Sequence, residues 1–501
     1  MLVIFATSLA IRLYRLDGQT LECDELYTMP AATGHQYVYL SNEAGAATAY
    51  MPVTTSEYKS LLVSESGHGL SEVRGVLKRN VHLPLYFYIM HYWIGWFGNS
   101  EWILRFPSAL FGALAVVMLF LLGRELFSLF IGLVSALFLT FSPEQIYFSQ
   151  QARMYPLMML LVISSTFLIL RIAKSTSNKW LYFAYSLLSI AGLYTHYEFV
   201  FCLAAQFVYV WLVSKQGRNQ WRFWLTTYAS IGVAFLPWVL ITLAQKKTSP
   251  EIIAWVTGSL PANIVLTEFV TKSARLISVP ELPFGWVSVL VTFVLLIVGI
   301  VVLTSERNKL LLLSLWIVFP VLGVVLMDNL LQTRAISITR YWLVIAPAMY
   351  LLIAVGLNRI KQRPLQIAIV AVLSGFLLAA GVLTAQGKLR GKPDRHQELA
   401  EFVDQQVANS SGPVVLTEGL NSLPLVMGYY GKNQMTILRT KWLTDQMERR
   451  SFAEITNNSP EILLLVSGRS NITGLLESNG FHLEGKPVQY GHVTAAKYVR
   501  R

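Results

Sequence analysis

Charge and cysteine are both scarce in this sequence. Only 14% of its residues are Asp, Glu, Lys or Arg, against about a quarter in an ordinary soluble domain, while 54% are hydrophobic. That balance excludes a chain that hides all its apolar residues in a water-soluble core; most of this one needs lipid around it. The two cysteines, Cys23 and Cys202, exclude a disulfide framework and a four-cysteine zinc site, and neither has a CxxC partner. No internal repeat and no low-complexity segment is evident. The first apolar run, Leu2–Leu16, has no basic leader and no small-x-small cleavage site, so it reads as a retained span and not as a signal peptide.

What is present is a series of apolar runs. Phe284–Ser305 and Pro364–Gly387 hold 22 and 24 residues without a charge, and about 20 suffice to cross the hydrocarbon core. Further runs are Leu2–Leu16, Phe106–Gly123, Ile131–Phe148, Tyr155–Leu170, Trp180–Thr195, Phe199–Ser214, Phe223–Ala244, Leu310–Met327 and Tyr341–Leu357. A backbone in lipid must satisfy its own hydrogen bonds, so all of these are expected to be helices. The net charge of +12 does not indicate a nucleic-acid partner, because the basic residues fall in short loops between apolar runs. With Met1 inside, the inner loops hold twelve Lys and Arg, from Arg124 to Arg363, against Glu125 and Glu306 alone. The positive-inside rule then sets a cytoplasmic N-terminus.

The outer side holds a long first loop, 17–105, and a loop around Gln245–Pro283. Within the first, the apolar stretch Leu83–Gly98 is short and reads as an interfacial helix. After Lys388 charges return throughout. An amphipathic stretch, Gln397–Val407, and β-type runs, Pro413–Thr417 and Ile462–Ser467, indicate a small α/β domain. The expected fold is an all-α polytopic membrane bundle of about 11 helices over 1–387, followed by an extracytoplasmic α/β domain over 388–501.

Several polar clusters fall on the outer face. Asp24 and Glu25 follow the first span; adjacent carboxylates there serve as a general base or metal site, or merely cap the helix that follows. Glu144 and Arg153 flank the segment 142–155, where opposite charges beside lipid favour a polar cavity unless Arg153 only snorkels. His82 enters the interfacial helix beside Pro84. His196 ends the fifth span, where a lone His is more often a hydrogen-bonded interfacial residue than a ligand. Arg340 and Tyr341 open the tenth span, as a phosphate clamp or a helix anchor. Lys78 and Arg79 are placed to meet lipid phosphate.

These residues carry a resemblance. Leu16 through Asp24-Glu25-Leu26-Tyr27 resembles the start of the GT-C class of membrane glycosyltransferases, in the protein mannosyltransferase and aminoarabinose transferase superfamily. The block His82-Leu83-Pro84-Leu85-Tyr86, then Phe97-Gly98-Asn99-Ser100-Glu101 and Arg105-Phe106-Pro107-Ser108, is similar to one that precedes the family's second span. Ser149-Gln150-Gln151-Ala152-Arg153-Met154-Tyr155 resembles its Ser-Gln-Glu-Ala-Arg-Met-Tyr, with Gln151 in place of Glu. Tyr194-Thr195-His196-Tyr197 and Arg340-Tyr341-Trp342-Leu343 also match. The likeness covers about residues 1–385.

It implies a hexosyl- or pentosyltransferase of the cell membrane that takes a sugar from a polyprenyl-phosphate donor. The acceptor would be a lipid, a glycan or a protein. Asp24 would be the base, with Glu25 and Glu144 beside it. Lys78, Arg79, His82, Gln151, Arg153, Tyr155, His196, Arg340 and Tyr341 would hold the donor and its phosphate. Some relatives bind a divalent cation at comparable carboxylates, so a divalent cation is the one cofactor implied. The competing classes are a transporter or lipid flippase, which should show repeats or broken central helices, and a non-catalytic scaffold. A reporter fused after Arg363 is expected to be cytoplasmic and one fused at Arg501 to be outside. Finding both on one side would refute this topology.

Overall fold

The computed structural model describes residues 1–35, 53–63, 69–78, 82–174, 178–213, 218–248, 258, 262–389, 395–408, 414–418, 422–439, 454, 456, 459–467 and 472–500. The helices in chain order begin with α1 (Leu2–Leu13), α2 (Cys23–Thr33), α3 (Thr55–Ser60), α4 (Leu70–Leu77), α5 (Pro84–Phe97) and α6 (Glu101–Leu126). Next come α7 (Leu129–Phe141), α8 (Pro143–Ser149), α9 (Tyr155–Lys174), α10 (Lys179–Leu193), α11 (Phe199–Val213), α12 (Arg218–Thr248) and α13 (Ala262–Ile277). They end with α14 (Gly285–Leu303), α15 (Arg307–Leu331), α16 (Ala346–Leu357), α17 (Arg363–Ala385), α18 (His396–Val407), α19 (Leu423–Tyr430) and α20 (Thr473–Ser478). The chain packs as two compact units, one of residues 1–16, 81–86 and 105–389, the other of 17–80, 87–104 and 390–501.

The first unit is the membrane part. All eleven apolar runs contain helix, but among the described residues only seven helices are long and apolar enough to cross a membrane, or eight counting a bent pair. The expected count of eleven is therefore not met on length: α1, α10 and α11 hold 12, 15 and 15 residues, short of the ~20 that cross unaided. Close helix contacts rest on small residues, as lipid-embedded packing favours. A Cβ on Gly356 would lie 2.0 Å from the Leu295 carbonyl, and one on Gly299 would lie 2.1 Å from that of Leu352, so α14 and α16 touch backbone to backbone.

The third span, expected unbroken over Ile131–Phe148, is instead the bent pair. α7 and α8 meet at 60°. Pro143 disfavours helical backbone at the residue before it, and Ser142 takes φ −58, ψ 120. Proline also has no N–H for the Leu139 carbonyl four residues back. A buried side chain from α1 takes up that carbonyl. Arg12, 1% exposed, donates from Nη2 to the Leu139 oxygen at 3.1 Å and from Nη1 to that of Thr140 at 3.4 Å. Its Nε donates to Ser149 Oγ at 3.2 Å and its Nη1 to Ser8 Oγ at 2.7 Å. Gly112 on α6 leaves room for this, since a Cβ there would lie 2.3 Å from Ser149 Oγ and 2.8 Å from Arg12 Nε.

The second unit is built on a six-stranded sheet of β1 (Val53–Thr54), β2 (Val414–Glu418), β3 (Thr436–Arg439), β4 (Glu461–Ser467), β5 (Phe481–Tyr490) and β6 (Val493–Arg500), in the order β1-β3-β2-β4-β6-β5. β3, β2 and β4 run parallel, and β5 and β6 form an antiparallel hairpin. Leu416, Leu438, Ile462, Leu464, Phe481 and Tyr498 form its core. The long segment 17–105, counted with the membrane bundle in the sequence, largely packs here. β1 pairs with β3, and Tyr429 Oη donates to the Asn99 carbonyl at 2.9 Å. Tyr430 Oη donates to the Glu101 carboxylate and accepts the Leu21 N–H at 2.8 Å.

Replacing Arg12 tests the bent span. Each buried acceptor left unmet costs about 1–3 kcal/mol, so Arg12→Leu is expected to destabilise the protein by at least about 2 kcal/mol, and by more than Arg12→Lys. Thermal unfolding in detergent measures it; equal midpoints for all three proteins would contradict the role.

Candidate functional site

In the first unit three separate turns bring polar side chains around Tyr155, a residue only 3% exposed. The turn from α8 into α9 supplies Arg153. Its backbone is held by the Ser108 hydroxyl, which donates to the Arg153 carbonyl at 2.8 Å, while Tyr86 Oη lies 3.0 Å from Ser108 Oγ. The guanidinium is 2% exposed and its Nη2 lies 3.0 Å from His82 Nε2. Arginine only donates, so that nitrogen of His82 accepts and the imidazole is neutral.

A 3-10 helix, Thr339–Ile345, carries Arg340 and Tyr341. Asp328, near the end of α15, fixes the approach to it: its carboxylate accepts from Thr333 Oγ1 at 2.6 Å, Ala335 N–H at 2.7 Å and Ile336 N–H at 2.8 Å. The indoles of Trp342 and Trp316 donate to the Ile336 and Val344 carbonyls at 2.8 and 2.9 Å. The guanidinium carbons of Arg153 and Arg340 lie 5.9 and 6.0 Å from the Tyr155 ring centre. The ring's negative faces favour both cations.

The turn after α10 supplies His196, whose ring meets Tyr155 edge-on at 5.7 Å and Tyr341 at 5.9 Å. Burial, then Arg340 and Arg153, hold its pKa down to about 3. Its Nδ1 accepts the Glu198 N–H at 3.3 Å. Burial pushes the Glu198 carboxyl well above the usual carboxylate range. The 3.8 Å approach of Glu198 Oε2 to His196 Nδ1 is therefore no ion pair. Two guanidiniums, neutral imidazoles and a tyrosine thus lie together, and guanidiniums are donors whose fork geometry matches phosphate oxygens.

The other expected residues lie as follows. Glu144 on α8 and Gln151 in the turn before Arg153 are buried, each 6% exposed. Asp24 and Glu25 belong to the second unit, at the start of α2. The Glu25 carboxylate accepts the Glu22 N–H at 3.0 Å and so closes a capping box. Asp24 is half-buried. Lys78 is exposed at the end of α4, also in the second unit, and Arg79 lies outside the described residues. Among the described residues, no metal-sized group of three His, Cys, Asp or Glu includes Asp24, Glu25 or Glu144. Sequence reasoning passed over Arg12 and Asp328. Arg12 had a signal, an arginine inside an apolar run, which it shares with Arg15 near the run's end.

The neutral state of His196 has a consequence for stability. An imidazole harder to protonate when folded stabilises the protein fully above its unfolded pKa of 6.5, and that stability is lost as pH falls toward about 3. Taking the protein from about pH 7 to about pH 5 is expected to destabilise it by about 1–2 kcal/mol more than His196→Asn. Denaturation at both pH values measures the difference; a pH-independent difference would contradict it.

Residues 81–242 match the family model described as dolichyl-phosphate-mannose-protein mannosyltransferase. No curated protein sequence matches the chain. Two solved structures of ArnT from Cupriavidus metallidurans superpose over 99% of this chain and 97% of theirs. The apo form gives a TM-score of 0.62 at 13% identity, and the form bound to undecaprenyl phosphate 0.61 at 14%. The oligosaccharyltransferase of Archaeoglobus fulgidus, solved with Zn and sulfate, superposes at a TM-score of 0.53 and 11% identity, over 92% of this chain and 67% of its own. The chain is a multi-pass membrane protein with the fold of the GT-C membrane glycosyltransferases.

Proposed function

We propose that this protein is a membrane glycosyltransferase that moves a sugar from a polyprenyl-phosphate carrier to a lipid, glycan or protein acceptor on the extracytoplasmic side. The observation that carries the proposal is the pairing of Arg153 and Arg340 about Tyr155, with the neutral His82 and His196 beside them. A sugar phosphate leaving group develops negative charge, and preorganised guanidiniums stabilise that charge more in the transition state than in the ground state. The carrier's tail would sit in lipid, so the donor would reach the arginines from within the membrane. The fold is shared with a structure that holds undecaprenyl phosphate, which supports a lipid-phosphate donor by analogy of fold.

The chemistry proposed is a single displacement. The Asp24 carboxylate takes the acceptor's hydroxyl proton, the acceptor oxygen bonds to the anomeric carbon, and the bond from that carbon to the phosphate oxygen breaks. Configuration inverts, and the polyprenyl phosphate departs against the two arginines. Glu25 acts through its capping box, which holds the first turn of α2 and with it Asp24.

Purified protein is expected to use a polyprenyl-phosphate sugar and not a nucleotide sugar. Asp24→Asn should lower transfer by about 10²–10⁴-fold at unchanged protein level. Arg153→Ala should weaken use of the donor, while Glu25→Gln should cost less than Asp24→Asn. Transfer rates at matched protein amounts decide it: an Asp24→Asn protein as fast as the unmodified one would overturn the assignment of the base.

A further inference from the structure

We propose that Cys23, His396 and His492, all in the second unit, form a site for one divalent ion of the zinc class. Their ligand atoms lie within 4.8 Å of one another. Zinc bonds of about 2.3 Å to sulfur and 2.0–2.1 Å to nitrogen put tetrahedral ligand atoms roughly 3.4–3.6 Å apart. The farthest pair would draw together by about an ångström to hold one ion. One thiolate and two imidazoles form a borderline-soft set that suits zinc over magnesium or calcium, and three protein ligands leave the fourth position to water.

Each ligand is prepared by its neighbours. His396 Nδ1 lies 2.7 Å from the Leu21 carbonyl. A carbonyl only accepts, so Nδ1 carries the proton and Nε2 keeps its lone pair, the arrangement by which metal-binding histidines are oriented. Cys23 is the first residue of α2, where backbone N–H groups favour negative charge on sulfur. The fully buried Ser422 hydroxyl donates to its Sγ at 3.0 Å. His492 stands exposed between β5 and β6, just after Gly491 at φ +60, with its ring centre 6.4 Å from that of His396, where an ion can enter from solvent.

The three ligands come from the start of α2, the start of α18 and the β5–β6 turn. The ion would therefore fasten segments far apart in sequence and stabilise the unit by joining them. Cys23 also precedes Asp24, so the ion would hold the first turn of α2 in place.

Cobalt(II) is the probe that tests this on the full chain, purified without a polyhistidine tag and stripped by a chelator. One equivalent is expected to bind with tetrahedral visible bands and a near-ultraviolet thiolate charge-transfer band. Cys23→Ser should lose the thiolate band. His492→Ala, an exposed change that leaves the core untouched, should weaken binding at least about tenfold, and chelation should lower the thermal midpoint of the wild type but not of His492→Ala. A cobalt spectrum of the hydrated octahedral kind, a thiolate band that survives Cys23→Ser, or unchanged affinity in His492→Ala would each overturn the proposal.

Discussion

A buried helix can end only where something answers its last carbonyls. In this protein Arg12 does so for α7, whose Leu139 oxygen loses its helical donor to the proline at position 143. The cationic guanidinium also suits the negative end of the α7 dipole. That one contact allows the backbone to turn through 60° into α8. Because Arg12 holds Ser149 as well, it fixes both ends of α8, and the segment that leaves α8 is the one that bears Arg153. The order of cause runs from a proline, to an orphaned carbonyl, to an arginine that answers it, to the turn that carries a second arginine.

The surroundings of Tyr155 follow the same logic of polar groups held in apolar material. Arg153 is placed by its backbone, through Ser108 and Tyr86. The segment that bears Arg340 is placed by the Asp328 carboxylate and two indoles. The histidines beside them stay neutral and Glu198 is driven toward its protonated form by burial, so none of these three offsets the positive sign of the two guanidiniums. A cluster of that sign gains from an anion and loses little by waiting for one, because the rings offset part of the cations' repulsion.

Much of this was legible in the sequence, for reasons that differ by element. The apolar runs read out as helices because lipid leaves the backbone no alternative. Their number did not, because short helices such as α10 cross or fail to cross according to their neighbours. The strands at 414–418 and 461–467 lie within about a residue of the runs that announced them. β1 has two residues and exists only by pairing with Thr436 and Ile437, so no local pattern marks it. His82, Arg153, Tyr155, His196, Arg340 and Tyr341 were named from the sequence, and the structure brings them together in one unit. The supports were not found: Asp328 acts on amides seven and eight residues away, and Cys23, His396 and His492 meet only once the second unit has folded.

The answered break in the third span is what holds Arg153, the arginine proposed to bind phosphate, in place. A double-mutant cycle between Arg12 and Arg153, read as affinity for polyprenyl phosphate in folded protein, tests it most directly. If the claim is right, Arg12→Leu weakens binding although Arg12 is committed to α1, α7 and α8, and adding Arg153→Ala then removes little more. Wild-type affinity in folded Arg12→Leu, or two losses that add in full, would contradict it.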